Sequence, residues 1–353
     1  PPGVAGVVEI VREAYPDPTA WDPRSDYHDP KASPEHPVWA MVDVRLVEVF
    51  PREVPLEELE KGEIVGEKWL AGGARPGFLG AKVFFIASAP PEKVAPMILD
   101  LDPTGGKELG WEEGGTVKVY QKFTRPLSAG TWNRFRSSLQ KMPFDTLLGV
   151  EGKKEGRYHL TPEEIQKITR DKTDGWISVL DNKIQTYFRG GWKDILGVPS
   201  GPGTLVDFDA ELRDVLKENG PVRDEFRRAL TGLAYGGRDE KEKIVVNDYW
   251  MLMDVDKAPA VALGCGVMRN GSGGRWEVAD MQYYVSNGYY GAISIYGIWP
   301  YGEGKSLVCR VDGVLTDPGQ LAQATARLIG ESLFMREVKS ACEMIKSQIS
   351  GNK

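Results

Sequence analysis

Five apolar segments in the C-terminal third decide the fold: residues 244–253 (IVVNDYWMLM), 260–267 (AVALGCGV), 276–285 (WEVADMQYYV), 289–298 (YYGAISIYGI) and 305–311 (KSLVCRV). All are apolar or aromatic in character, and Gly, Asn and Asp stand between them. Connections this short cannot hold crossover helices, so the spacing predicts consecutive antiparallel strands. Residues 320–348 then run without proline, and Leu321, Leu328, Met335, Val338, Cys342 and Ile345 recur on one helical face. A helix of that length extends roughly 40 Å. Its apolar stripe must be buried, and the preceding sheet is the surface available to bury it.

Working outward, residues 82–87 and 116–123 read as strands, and residues 91–101 as a short helix interrupted at Pro96. Thr161-Pro162-Glu163-Glu164 is a helix start, with Thr as N-cap, Pro at the first helical position and Glu164 able to bond back. Residues 210–219 form a helix stopped by Gly220, and Pro221 opens another that runs to about residue 233. Gly271-Ser272-Gly273-Gly274 lies between two strands, so it reads as a hairpin turn and not as a phosphate-binding loop ahead of a helix. The order of elements defines an α+β class.

The first third is different. Six prolines between residues 15 and 37 (Pro16, Pro18, Pro23, Pro30, Pro34 and Pro37) exclude a helix or central strand there. Residues 4–12 and 38–50 read as strands on either side of that loop, with Val42, Val44 and Leu46 alternating on one face of the second. Residues 55–60 read as a short acidic helix, and the glycine-punctuated stretch 69–80 as a linker. Two parts are therefore expected, 1–68 and 81–353.

Charge divides at the same place. The 353 residues carry 44 Lys+Arg and 51 Asp+Glu, a net charge of −7. Residues 1–80 hold 8 basic and 15 acidic groups, whereas the remainder is balanced. A broad basic surface gripping a nucleic-acid backbone is thereby excluded. Three scattered cysteines, Cys265, Cys309 and Cys342, give neither a disulfide framework nor a zinc motif. No apolar run is long enough for a transmembrane helix, and no targeting segment opens the chain. Position 1 is Pro, not Met, so a fragment or processed form is expected.

The N-terminal motifs carry a resemblance. Pro1-Pro2-Gly3-Val4-Ala5-Gly6 is followed by Ala14-Tyr15-Pro16-Asp17-Pro18-Thr19, Trp21-Asp22-Pro23 and Tyr27-His28-Asp29-Pro30-Lys31. Then come Pro37-Val38-Trp39, Val42-Asp43-Val44, Phe50-Pro51-Arg52 and Leu56-Glu57-Glu58-Leu59. In this order and spacing, residues 1 to about 60 resemble the EVE domain, a PUA-like family. The resemblance implies a small β-barrel that binds DNA or RNA and, in its reader members, accepts a flipped modified cytosine in an aromatic pocket. It also implies a cytoplasmic location. The family's opening strand and the loop after it have no counterpart before Pro1, and its Arg-rich close is replaced by Gly66-Glu67-Lys68-Trp69-Leu70-Ala71-Gly72. A truncated module with an unpaired strand edge is the expectation. Residues 82–348, in their order of strand, helix, mixed middle, antiparallel strands and long final helix, resemble the helix-grip (START-like) class.

Candidate residues follow from both resemblances. Trp21, Tyr27 and Trp39 are either stacking faces for a base or pins that hold the Pro-rich loop. In the second part Tyr249, Trp250, Tyr283, Tyr284, Tyr289, Tyr290, Tyr296, Trp299 and Tyr301 form a dense aromatic series that either fills a core or lines a cavity. For a cavity, Tyr283, Tyr290, Tyr296 and Met335 are the expected lining. His28, His36 and His159 are read as structural or surface groups, and Ser286, Ser294 and Ser306 lie in no nucleophile motif. Asp248, Asp280 and Asp312 are carboxylates that no spacing selects. No catalytic residue, metal site or cofactor is assigned. The leading reading is a binding protein related to readers of modified bases. The alternatives are a helix-grip carrier of an apolar small molecule or lipid, and an enzyme working with carboxylates.

Overall fold

The computed structural model describes residues 3–10, 12–68, 77–111, 116–141, 158–195, 197–199, 205–218, 220–235, 244–255, 258–316 and 324–351. The chain divides into two compact units, Pro1–Glu57 and Glu58–Lys353.

In the first unit, β1 (Gly3–Ile10) pairs antiparallel with β4 (Val44–Pro55), from Gly3 opposite Pro55 to Ile10 opposite Val44. Between them β2 (Tyr15–Pro16) pairs with β3 (Ala40–Met41). The loop that carries the six prolines is organised by side chains in place of a ladder. Asp17 caps the 3₁₀ turn Pro18–Trp21 by accepting from the Thr19 amide, and the Asp29 amide donates to the Ala20 carbonyl at 2.7 Å. Tyr15 donates to Asp43 at 2.7 Å, closing the base of the loop.

The second unit contains α1 (Leu56–Glu60, which crosses the division), β5 (Val65–Lys68), β6 (Phe78–Ala87), α2 (Pro91–Leu99), β7 (Val117–Phe123) and α3 (Ala129–Gln140). After these come α4 (Pro162–Arg170), α5 (Lys172–Gly190), β8 (Val198–Pro199), β9 (Leu205–Val206), α6 (Phe208–Glu218), α7 (Gly220–Glu225) and α8 (Arg227–Ala234). The unit closes with β10 (Val245–Val255), β11 (Ala258–Asn270), β12 (Trp276–Val285), β13 (Tyr289–Tyr301), β14 (Lys305–Thr316) and α9 (Ala324–Gly351).

Eight strands form one antiparallel sheet in the order β5-β6-β14-β13-β12-β11-β10-β7. The run β10 to β14 is a meander, as its short connections require. The earlier strands β6 and β7 take positions at opposite ends of it, so the pairing of β6 with β14 joins residues more than 200 positions apart. The expected strand 82–87 is the later part of β6, and residues 69–76 of the expected linker lie outside the described residues.

One face of the sheet packs against α2 and α9. Val83, Phe85, Val308, Ile298 and Val278 meet Val94, Ala95 and Ile98 of α2, and Val338, Cys342, Ile345 and Ile349 of α9. Leu321 and the side chain of Leu328 lie outside the described residues. The other face carries the helical middle of the chain, with α8 packed on β11 and β12. There Tyr187 of α5 stacks on Tyr283 of β12 with centroids 4.1 Å apart, and Phe135 of α3 meets Trp250 of β10 edge-on at 5.2 Å.

Two local signals behave in opposite ways. Thr161 forms the expected capping box, accepting from the Glu164 amide while the Glu164 carboxylate accepts from its own amide. Pro96 does not interrupt α2, which runs through it. The proline removes one hydrogen bond, to the carbonyl of exposed Glu92, while Val94, Ala95, Ile98 and Leu99 keep their burial on the sheet, and that burial outweighs the loss.

Candidate functional site

A cavity of about 210 Å³ lies between the α2/α9 face of the sheet and those helices. Strand alternation sets its floor. On β12, Val278, Asp280 and Gln282 point the same way; on β13, Ser294 and Tyr296 do so; on β10, Tyr249 and Met251; and all of them line the cavity. Asp280 and Ser294 are paired in register across β12 and β13, and Ser294 and Asp312 across β13 and β14. A polar row thus crosses three adjacent strands. Leu99 of α2, Leu101, Val117 and Tyr120 of β7 supply apolar wall.

Two glycines in the segment AVALGCGV make room for this site. Gly264 stands opposite Tyr249, and a Cβ there would come within 2.1 Å of the Tyr249 ring. The ring can therefore lie across β11 and bring its hydroxyl to Asp280, donating to Oδ1 at 2.7 Å. Gly266 stands opposite Asp280, where a Cβ would lie 3.2 Å from Oδ2 and 2.9 Å from Leu99. Both are close-approach glycines on interior strand positions.

Charge in the cavity is arranged unevenly. Arg310 of β14 binds Asp312 with both arms, Nε to Oδ2 at 2.6 Å and Nη2 to Oδ1 at 2.8 Å, and both residues are buried. Burial opposes the guanidinium charge, but the Asp312 carboxylate holds Arg310 firmly protonated. Ser294 donates to Asp312, and the Tyr289 hydroxyl donates to Gln282. Asp280 has no such cation: among the described residues no Lys, Arg or His lies within ion-pair distance of it. Burial pushes its carboxyl up to about 6, against the Tyr249 hydrogen bond and the more distant Arg310, which both pull it down.

The expected cavity residues are distributed between the two faces. Tyr296 lines the cavity, and Met335 packs against the α2/α9 cluster. Tyr283 lies on the opposite face, stacked on Tyr187, and Tyr290 stacks on His159 with centroids 4.5 Å apart. His159 itself is buried, with Nδ1 2.7 Å from the Val285 carbonyl. Of the three carboxylates, Asp280 faces the cavity and Asp312 is tied to Arg310 beside it. Asp248 turns to the other face, where Arg125 holds it with two bonds of 2.6 and 2.8 Å. Tyr249, Gln282, Ser294 and Arg310 were not selected as site residues from the sequence, and only strand parity offered a signal for them.

The aromatic candidates of the first unit sit on its Pro-rich loop. Tyr27 is 78% exposed and Trp39 57%, while Trp21 is half-buried. Trp39 donates from Nε1 to Asp29 at 2.8 Å, and its carbonyl accepts from the Asp17 amide at 3.0 Å, so its position is fixed although its ring is open. Hydrogen bonds from the Lys31 amide and from Trp39 hold the Asp29 carboxyl below the usual range. Among the described residues no ring contact joins Trp21, Tyr27 and Trp39. His28 and His36 are exposed.

The fold and site define a mixed α+β protein whose larger unit lays a C-terminal helix across an antiparallel sheet beside a small, partly polar and partly open cavity. Residues 1–79 match the EVE domain, a PUA-like family associated with nucleic-acid binding. That match extends through β5 and into the first residues of β6, two strands of the eight-stranded sheet. Thymocyte nuclear protein 1 of Homo sapiens is 44% identical over 59 residues, which is 17% of this chain and 26% of the relative. The proteins of that name from Gallus gallus and Danio rerio are 44% and 43% identical, again over 17% of this chain and over 24% and 26% of their own lengths. The chain therefore spans about a quarter of the length of these curated relatives. No solved structure matches it. Among the described residues no helix is long and apolar enough to cross a membrane.

Proposed function

We propose that this chain binds nucleic acid through its EVE segment, reading an unstacked base by stacking and not by gripping the backbone. The observation that carries this reading is the pair of open rings, Tyr27 and Trp39, on a loop whose backbone is fixed by Asp17, Asp29 and the Trp39 indole. A base stacked on an aromatic face gains about 1–3 kcal/mol regardless of backbone charge. This suits a segment with 8 basic and 15 acidic groups in its first 80 residues. The test is binding of the full chain to single-stranded oligonucleotides with and without a modified cytosine. The expected result is a preference for the modified base that depends weakly on salt and is lost in Tyr27→Ala and Trp39→Ala. Equal, undetectable binding of both oligonucleotides at low salt overturns the reading.

A second reading applies to the larger unit, and the strand order favours it. The first long strand of this unit, β6, neighbours the last, β14, which begins the five-strand meander β14 to β10 across the sheet, and α9 crosses the face they share with the cavity. This is the arrangement expected of a helix-grip carrier. Its cavity is of the size that holds a ring-sized molecule, cavities of about 150 Å³ being large enough for benzene. Native mass spectrometry of the purified chain should show a small molecule retained by the folded protein. Failure to bind any small aromatic probe overturns this reading.

A further inference from the structure

Within the carrier reading of the larger unit, we propose that the cavity is a site for a protonated amine bearing a small apolar body, with Asp280 as the counter-ion of the amine. Three observations converge on this ligand class. The first is the asymmetry of charge. Arg310 is neutralised by two hydrogen bonds to Asp312, whereas Asp280, two strands away on β12, receives only the Tyr249 hydroxyl among the described residues. A largely desolvated carboxylate without a cation is costly, and an incoming ammonium group would relieve that cost.

The second observation is accessibility. On the interior strands β12 and β13, Asp280, Gln282, Ala292 and Ser294 keep partial exposure while residues on either side of them in sequence are buried. Asp280, Gln282 and Ser294 of that line are also cavity-lining residues, so the residual surface of Asp280 opens to the cavity. The third is the wall. Tyr120 and Tyr249 line the cavity with ring centroids 5.2 Å apart, Tyr296 lines it from β13, and Leu99 and Met251 complete an apolar surface. Aromatic rings attract a cation within about 6 Å of their faces, and they repel a carboxylate placed there. A carboxylic acid ligand would find Arg310 already satisfied and Asp280 repulsive.

The groups that interact electrostatically with Asp280 are Tyr120 from β7, Tyr249 from β10, Cys265 from β11, Tyr289 and Tyr296 from β13, and Arg310 and Asp312 from β14. Burial raises all four tyrosines and the Cys265 thiol, so none of these five supplies a charge change near neutrality. Asp280, at about 6, does. Amine binding is therefore full at pH 7.5 and falls about tenfold by pH 5, as the carboxylate takes up a proton.

The experiment is calorimetric titration of the full chain with three probes of one shape: benzylammonium, benzyl alcohol and benzoate. The expected order is benzylammonium tightest, by about tenfold over the alcohol, with benzoate weakest. Asp280→Asn should remove the preference for the cation while leaving alcohol binding in place. If that variant does not fold, the pH dependence of the wild-type chain supplies the same information: a cation preference that fades below pH 6 supports the proposal. Benzoate binding as tightly as benzylammonium, or a cation preference unchanged from pH 7.5 to 5, overturns the ligand class and leaves the carrier reading intact. Failure of all three probes overturns both.

Discussion

Tyr27 and Trp39 of the first unit present most of their rings to solvent, whereas Trp176, Trp250, Tyr187 and Tyr284 of the second are completely buried. The same residue types are used in opposite ways because the two regions organise their backbones differently. Across residues 12–43 only Ala20 is buried, and the loop holds its shape by Asp and Ser side chains accepting from nearby amides. In the second unit an eight-stranded sheet is covered by helices on both faces, and its aromatic residues are the packing material. The contrast teaches where substitution should be felt: in unit two on folding, in unit one on binding.

The sharpest way to break that comparison is Trp250→Ala. Removing a fully buried ring that meets Phe135 edge-on should lower unfolding free energy by about 3–5 kcal/mol, read by urea denaturation. A change below 1 kcal/mol would contradict the packing described. Arg310→Ala should cost a similar amount, about 3–5 kcal/mol, because it strands the buried Asp312 carboxylate. The double variant Arg310→Met, Asp312→Leu should recover most of that loss, and failure to recover would mean the pair has a role beyond charge balance.

Asp280→Asn is expected to act with the opposite sign. The carboxyl sits at about 6 when folded and 3.8 in an ordinary environment, so the folded state binds the proton more tightly. The ionised acid therefore destabilises the fold above about pH 6, and the penalty disappears below about pH 4. Allowing for the partial exposure of Asp280 to the cavity, the neutral variant should be more stable by about 2 kcal/mol at pH 7.5 and equal to the wild type at pH 3.5. Equal stability at both pH values would show that Asp280 is not desolvated. Gly264→Ala should cost about 1–3 kcal/mol and weaken cavity ligands, since the added methyl collides with the Tyr249 ring.

The smallest expected effect on folding is Trp39→Ala, within about 0.5 kcal/mol. Its effect on oligonucleotide binding should nonetheless reach about 1–3 kcal/mol. If Trp39→Ala instead unfolds the first unit, the ring is a pin of the loop and not a stacking face.

Much of this architecture was legible along the chain. The motif order of residues 1–60 marked the EVE resemblance, and the match over residues 1–79 agrees with it. The meander from β10 to β14 and the final helix followed from periodicity and from connections too short for crossovers. Val338, Cys342 and Ile345 are buried on the predicted stripe. Helix α2 running through Pro96 was not legible, because the burial that overrides the proline comes from sheet residues distant in sequence. Within the second unit, the role of residues 65–68 was equally hidden. Gly66, Glu67 and Lys68 open the stretch Gly66–Gly72 that replaces the family's Arg-rich close, yet with Val65 they form β5 on the edge of the large sheet, and a four-residue strand carries no signal of its partner.

The cavity marks the limit of reading along the chain. Alternation in WEVADMQYYV states that Val278, Asp280 and Gln282 share a face, and alternation in YYGAISIYGI that Ser294 and Tyr296 do. Which face meets α2 and α9, and which meets the helical middle, is not contained in a period of two. That choice sent Tyr296 and Asp280 to the cavity, and Tyr283 and Asp248 to the opposite side. Local periodicity and turn chemistry determined the elements, because they depend on neighbours within a few residues. The site was decided by pairing β6 with β14 and by seating α9 over one face, because burial is a property of the assembled sheet.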